Sequence, residues 1–235
     1  MKFPALVPAV FIQRPNRFTA DVRLGEGAVE RVYVPTTGRL TGALRPGCRV
    51  WLERAADRER KTPYTLVLTE LEEGGLCSVN ASLANRIFEK SVLSGALDAF
   101  RCDRVEREVS WGSSRLDFRL WQGERPCWVE VKSVTYVAEG VGMFPDAPTE
   151  RGRKHLGELV KLVVEGQSAS VVFVAQRPDA ECFKPFEAID PDFANSLRLA
   201  QKQGVGVHAY RCEVSPESIE IADEIPVEIS PPLAK

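Results

Sequence analysis

The chain has 235 residues, 44% hydrophobic and 27% charged, with a formal net charge of −2, the balance of an ordinary soluble protein with room for one large domain or two modest ones. No apolar run approaches the roughly 18 residues of a membrane span, and the N-terminal stretch MKFPALVPAVFIQR is broken by proline and lacks a cleavage site, so a cytoplasmic protein without membrane attachment is expected. Six cysteines without a CxxC pair and only two histidines exclude a cysteine or histidine-rich zinc centre, and a divalent ion would need carboxylate ligands.

Charge is uneven along the chain. Residues 1–80 carry 12 Lys+Arg against 9 Asp+Glu, and the remainder 19 against 24. Arginine dominates the basic set of the first part and suits phosphate because its planar fork gives two parallel hydrogen bonds, although solvated arginines are common on any surface. Between residues 8 and 80, five strand-like runs (AVFIQR, RFTADVRL, VERVYVP, CRVWLER and YTLVLTEL) are separated by turn formers. Five short strands and no long helix predict an OB-like β-barrel, a common nucleic-acid binder. The alternative is a barrel that only packs against the second domain. Arg14, Arg17, Arg23 and Arg39 are its candidate phosphate contacts.

A boundary near residues 73–75 divides a domain of residues 1–79 from one of 80–235. Asn80 or Ser82 can cap a helix through residue 95 that carries Glu89 and has Leu83, Ile87 and Leu93 among its buried positions. Strands RVEREVSW, RLDFRLW and CWVEVKSVTYV come next, then a loop at 140–148 rich in Gly and Pro. Thr149 and Glu150 open a second helix whose apolar stripe is Leu156, Leu159, Val160 and Val163. Its other face sets Arg151, His155 and Glu158 at i, i+4 and i+7, with Lys154 beside them; a solvated stripe with local ion pairs is the ordinary expectation there. SVVFVA reads as a central strand, residues 190–204 as a third helix capped by Asp190 or Asp192, and 205–214 as a final strand. The whole is an α/β (α+β) arrangement, a five-stranded barrel plus a mixed sheet flanked by helices.

Within this frame Asp117, Glu130 and Lys132 stand out. Glu130 and Lys132 are two apart on a strand and share a face. Asp117 can lie opposite them if the hairpin register allows. Asp117 and Glu130 would supply hard oxygen ligands for Mg2+ or Mn2+, with the Val131 carbonyl and Glu89 completing the set. Lys132 would orient the attacking water and steady charge on a phosphorane. A bare Glu-x-Lys is more often an exposed cross-strand ion pair. Here, however, the strand is flanked by Trp128, Val129, Val131 and Val134 and comes after an aspartate-bearing strand and a glutamate-bearing helix.

That element order resembles the PD-(D/E)xK nuclease superfamily. More narrowly, residues 112–118 (GSSRLDF), 129–135 (VEVKSVT), 144–156 (FPDAPTERGRKHL) and 189–191 (IDP) resemble the blocks of the sugar fermentation stimulation protein family, SfsA, over residues 16–221. The resemblance implies an OB-like domain, a nuclease-like domain, DNA binding and a regulatory link to sugar metabolism. Its acidic and lysine positions carry over as Glu89, Asp117, Glu130 and Lys132, and its third block makes Arg151, Lys154 and His155 phosphate contacts. Arg115, in the first block, joins them. The family's CPNTGSM-like loop is VPTTGRL at residues 34–40 here.

Two function classes are compatible with these residues. One is an Mg2+- or Mn2+-dependent endodeoxyribonuclease that acts on double-stranded DNA with little sequence preference, since no helix-turn-helix, zinc finger or basic region is present. The other is a non-cleaving DNA-binding regulator of sugar metabolism genes that retains the nuclease fold. Oligomeric state is open, a homodimer included.

Overall fold

Alternating burial along five short strands builds the first domain of the computed structural model, which describes residues 1–57 and 60–229. The strands are β1 (Val7–Asn16), β2 (Thr19–Arg23), β3 (Val29–Tyr33), β4 (Arg49–Arg54) and β5 (Tyr64–Glu70), extended by β6 (Leu76–Ser78). Ala9 and Phe11, Ala20 and Val22, Val50 and Leu52 each point inward at period two, with Leu66 opposite them. The hydrogen-bonded order is β3-β2-β1-β4-β5-β6, and a parallel bridge between Tyr33 and Thr65 joins β3 to β5. This bridge closes the five-stranded OB barrel and removes its free edges.

The second domain begins with α1 (Leu83–Leu93). Three antiparallel strands come after it: β7 (Arg104–Trp111), β8 (Ser114–Gln122) and β9 (Arg125–Val134). Next are a small hairpin of β10 (Tyr136–Ala138) and β11 (Val141–Phe144), helix α2 (Glu150–Val164) and strand β12 (Ser168–Ala175). The chain continues through β13 (Cys182–Pro185), α3 (Pro191–Lys202), β14 (Gly206–Val214) and β15 (Ile219–Glu224). The main sheet has the order β15-β14-β12-β9-β8-β7. Its centre is parallel, because β12 runs with both β9 and β14, and the crossovers place α2 and α3 on one face. Val171 and Phe173 point to that face, whereas Val172 and Val174 point to α1 on the other.

Several local expectations are corrected. Leu93 is 68% exposed, since the buried stripe of α1 runs through Leu83, Ala84, Ile87, Phe88 and Val92 and leaves the next residue about 100° round the helix. Neither Asn80 nor Ser82 caps the first turn with its side chain; Asn80 Oδ1 instead accepts from the Ser82 N–H and hydroxyl. The 140–148 segment holds β11, which pairs with β10 and, in parallel, with the distant β13. Residues 205–214 are not the last strand, for β15 adds an edge strand beyond them. His155 and Glu158, on the face of α2 expected to be solvated, are both buried.

Asp190 ties the two helices of one face together. Its carboxylate caps α3 through the Phe193 N–H, accepts the Thr149 N–H at the start of α2, and meets Arg153 with both oxygens at 2.8 Å. Burial alone would raise this carboxyl, but the two N–H donors and Arg153 outweigh it and hold it below the usual aspartate range. A depressed folded value contributes stability above the unfolded value of 3.8, and that stability is lost as pH falls through the folded value. Asp190→Ala is therefore expected to cost about 3 kcal/mol at neutral pH, with the difference from the parent chain shrinking below pH ~4; urea unfolding at pH 7 and pH 3 measures both.

Candidate active site

The site is built where the hairpin of β8 and β9 comes apart. Their ladder runs from Gln122 opposite Arg125 to Phe118 opposite Val129 and ends there. One step further the Val131 N–H, freed from β8, donates to Asp117 Oδ2 at 2.8 Å. Asp117 Oδ1 accepts from Asn85 Nδ2 of α1 at 2.7 Å. On the far side Glu108 of β7 takes a left-handed φ of 54°, uncommon for a side-chain-bearing residue. The β7–β8 ladder steps across it, from Arg107 opposite Phe118 to Val109 opposite Leu116. Leu116 joins the core under α2 while Phe118 joins the core under α1. The strand thus rolls over at Asp117 and presents its carboxylate at the split.

Glu130 and Lys132 project from β9 toward α2, as period-two spacing requires. Lys132 Nζ donates to Glu130 Oε1 at 2.5 Å, and the His155 ring meets the same oxygen through Nδ1. His155 Nε2 accepts from Arg151 Nε at 3.4 Å. These two partners assign the ring: Nδ1 carries hydrogen for the carboxylate and Nε2 is the acceptor. Burial works against a charge on Glu130, but Lys132 and then His155 outweigh it and keep the carboxyl below its ordinary range. For Asp117, burial and then the charge of Glu130 prevail, and its carboxyl is pushed up to about 6. Glu130 Oε2 is buried and has no hydrogen-bond partner, an exception that asks for a cation or water.

The other expected residues divide clearly. Glu89 pairs with Arg107 at 3.5 Å, and it is Asn85, one turn earlier on α1, that reaches Asp117. Arg115, Arg151 and Lys154 are exposed around a groove of about 550 Å3 that His155 also borders. Arg115 pairs there with Glu108, and Lys154 holds the Ser113 carbonyl. His155 itself is only 4% exposed and orients Glu130, which removes it from the expected phosphate contacts. Arg17, Arg23 and Arg39 are exposed on the barrel. Arg14 is withdrawn as a phosphate contact, because its guanidinium donates to the carbonyls of Arg17, Thr36, Gly38 and Arg39.

That clamp holds the 34–40 loop against the second domain. The Leu40 N–H donates to Asp146 Oδ2 at 3.0 Å, and a Cβ on Gly38 would come within 2.6 Å of the same carboxylate. Thr36, Thr37 and Gly38 line a cavity of about 300 Å3 together with Val131, Lys132 and Ser133. Arg177, buried to 4% exposure, fastens the domains again by donating to the carbonyls of Gly42 and Thr135.

Among the described residues no three His, Cys, Asp or Glu side chains gather closely enough to hold a metal ion. The donors on hand are two carboxylates and a backbone carbonyl. An unpartnered buried carboxylate oxygen beside a second carboxylate whose proton is held too tightly is nonetheless the chemistry that a hard divalent cation relieves. The residues fit such an ion with water completing its shell.

Comparison with known proteins gives a consistent relationship. A family model described as the sugar fermentation stimulation protein RE domain matches residues 82–218, and the SfsA N-terminal OB domain matches residues 12–79. A sugar fermentation stimulation protein homolog from Chloroflexus aurantiacus is 43% identical over 223 residues, 94% of this chain and 85% of that one. A homolog from Moorella thermoacetica is 42% identical over 233 residues, 97% of this chain and all of its own. The solved structure of Pyrococcus furiosus SfsA in complex with Ca2+ superposes with a TM-score of 0.89 at 33% identity, covering 97% of this chain and 98% of that one.

The raised Asp117 carboxyl has a stability consequence with a definite sign. Ionising it in the fold costs stability fully above about pH 6 and not at all below the unfolded value of 3.8. In chelator, Asp117→Asn is expected to raise unfolding free energy by about 1–2 kcal/mol at pH 8, with the gain fading toward pH 4. Denaturant titrations at several pH values would detect it; a loss at pH 8 would contradict the assignment.

Proposed function

The chain belongs to the sugar fermentation stimulation protein family, and we propose that it binds DNA with little sequence preference and hydrolyses a phosphodiester at the Asp117–Glu130–Lys132 site. The observation that carries this reading is Glu130: buried on a central strand, kept ionised by Lys132 and His155, and left with one oxygen unpartnered. A structural ion pair would not need that spare oxygen. The Pyrococcus furiosus relative was solved in complex with Ca2+, a cation of the same oxygen-seeking class as Mg2+ and Mn2+.

Asp117, Glu130 and the Val131 carbonyl would hold Mg2+ or Mn2+, which when bound supplies Lewis-acid polarisation of the phosphate and acidifies its water. The chain's own residues set up the rest. Asn85 and the Val131 N–H fix the Asp117 carboxylate. His155 fixes Glu130, directing Oε2 away from the ring. Lys132 has three N–H donors and gives one to Glu130; the others orient a water or meet charge building on phosphate oxygens. Arg115, Arg151 and Lys154 lie near the N-terminus of α2, where backbone N–H groups also favour anions. Arg151 and Lys154 are the strand's electrostatic contacts, since Glu108 already holds Arg115.

One observation favours a second reading. With Glu89 turned to Arg107, only two carboxylates serve the site, and a DNA-binding regulator that has given up cleavage would keep the fold and the basic groove. Supercoiled plasmid separates the two. With Mg2+ or Mn2+ the protein is expected to nick it, and Asp117→Ala to lower the rate by at least about a hundredfold. Cleavage equal in both proteins would sink the hydrolytic role. Binding without cleavage, weakening steeply with salt, would leave the regulator.

A further inference from the structure

The cavity beside Lys132 says which DNA can reach the site, an inference that rests on the DNA-binding role proposed for this chain. It is a half-open pocket of about 300 Å3, at the small end of ligand cavities, which run about 300–1,000 Å3. Its walls come from both domains: Arg17 and Thr37 of the barrel, Lys132 and Ser133 of β9, and Phe144 and Asp146 at the end of β11. Those walls are fixed. Asp146 holds the Leu40 N–H, the Arg14 guanidinium holds the carbonyls of Thr36, Gly38 and Arg39, and Gly38 leaves no space for even a methyl group. Drawing the two domains apart to admit a base pair with both its backbones would break the Leu40–Asp146 contact.

The lining is chemically selective. Lys132 keeps donors after serving Glu130. Ser133 Oγ accepts from Gln176 Nε2 at 2.6 Å, and Gln176, fully buried, spends its other amide hydrogen on the Asn80 carbonyl. The amide therefore fixes Ser133 as an acceptor on that side and leaves its own hydrogen to donate. A lysine and an exposed arginine suit a phosphate and outnumber the one lining carboxylate, Asp146, whose Oδ2 is turned to the Leu40 N–H, while Phe144 and Pro145 add an apolar wall for a sugar or base. The cavity and the basic groove of α2 are lined by consecutive residues, Thr149 and Glu150.

We infer that the cavity takes one unpaired nucleotide of a DNA strand, its phosphate against Lys132 and Arg17, so that the site serves single strands and frayed ends in preference to continuous duplex. An unpaired nucleotide enters without the unstacking that extrusion from a duplex costs. Simple electrostatics gives the opposite order, because duplex carries the denser charge. The two are therefore separable.

The test is competition fluorescence anisotropy with the full chain in chelator, using a labelled single-stranded oligonucleotide as probe. Unlabelled single strand and covalently closed relaxed plasmid are added at equal nucleotide concentration. The single strand is expected to compete about tenfold better. Arg17→Ala should weaken single-strand binding about threefold to tenfold, and Ala147→Leu, which fills the cavity, should erase the preference and leave plasmid competition unchanged. Equal competition by both DNAs, with neither variant altering it, would overturn the inference and leave DNA binding intact. Absence of binding to either DNA would overturn both. A single-strand preference in a protein that cuts nothing with Mg2+ or Mn2+ would support the inference and remove only the hydrolytic reading.

Discussion

The hydrogen bond from the Val131 N–H to Asp117 joins the fold to its chemistry. A buried backbone N–H must find a partner, and in an unbroken hairpin it would take a β8 carbonyl. Giving it to a carboxylate lets β8 leave β9 without leaving an orphan donor. The opening that results sets one carboxylate beside another at the strand carrying Lys132. Two ionised carboxylates so placed oppose each other, and the difference between them comes from their partners. Glu130 has Lys132 and His155 on one oxygen, whereas Asp117 has a neutral amide and a backbone N–H. One is held ionised and the other resists ionisation, an asymmetry that a bound cation would remove.

The second constraint is the rigidity of the junction. Three contacts cross it at different points: Leu40 to Asp146, Arg177 to Gly42, and the Ser78 N–H to the Gln176 carbonyl. Each satisfies a backbone group that would otherwise be buried and unpaired. The barrel consequently contributes Thr36, Thr37 and Gly38 of its VPTTGRL loop to the same pocket that Lys132 lines. This loop departs from the family pattern in its side chains, yet much of what it contributes here is backbone. The carbonyls held by Arg14 and the Leu40 N–H do not depend on the Cys, Asn and Ser of the family loop.

Much of this is legible in the sequence because it obeys periodicity. The inward residues of the barrel and the shared face of Glu130 and Lys132 are consequences of alternation, and Asp190 announces its helix by preceding Pro191. The rest depends on pairings distant in sequence, which local patterns do not carry. Strand β11 is four residues with an internal glycine, and it is secured by β13 about forty residues later. The helix periodicity of α1 marks a stripe but not its edge, so Leu93 reads as buried when it is not. The buried role of His155 is of the same kind: spacing puts it on a face of α2, and only the crossover through β12 turns that face onto Glu130. Asn85 carries no signal, since a polar residue in a first helical turn is ordinary. The position of Glu89 one turn later makes it the natural candidate.

Charge explains why the inter-domain cavity matters more than the overall field. With a net charge of −2 the chain exerts little long-range attraction on a polyanion. Several of its arginines are already committed, Arg14 to carbonyls, Arg115 to Glu108 and Arg153 to Asp190. What remains for the proposed DNA contact is local: exposed Arg151 and Lys154 near the positive end of α2, Arg17 across the junction, and the free donors of Lys132. On the proposed DNA-binding role, a few contacts gathered within one groove and one small cavity would grip a single strand at one point better than they would track a duplex along its length. Recognition would then rest on what fits between the two domains.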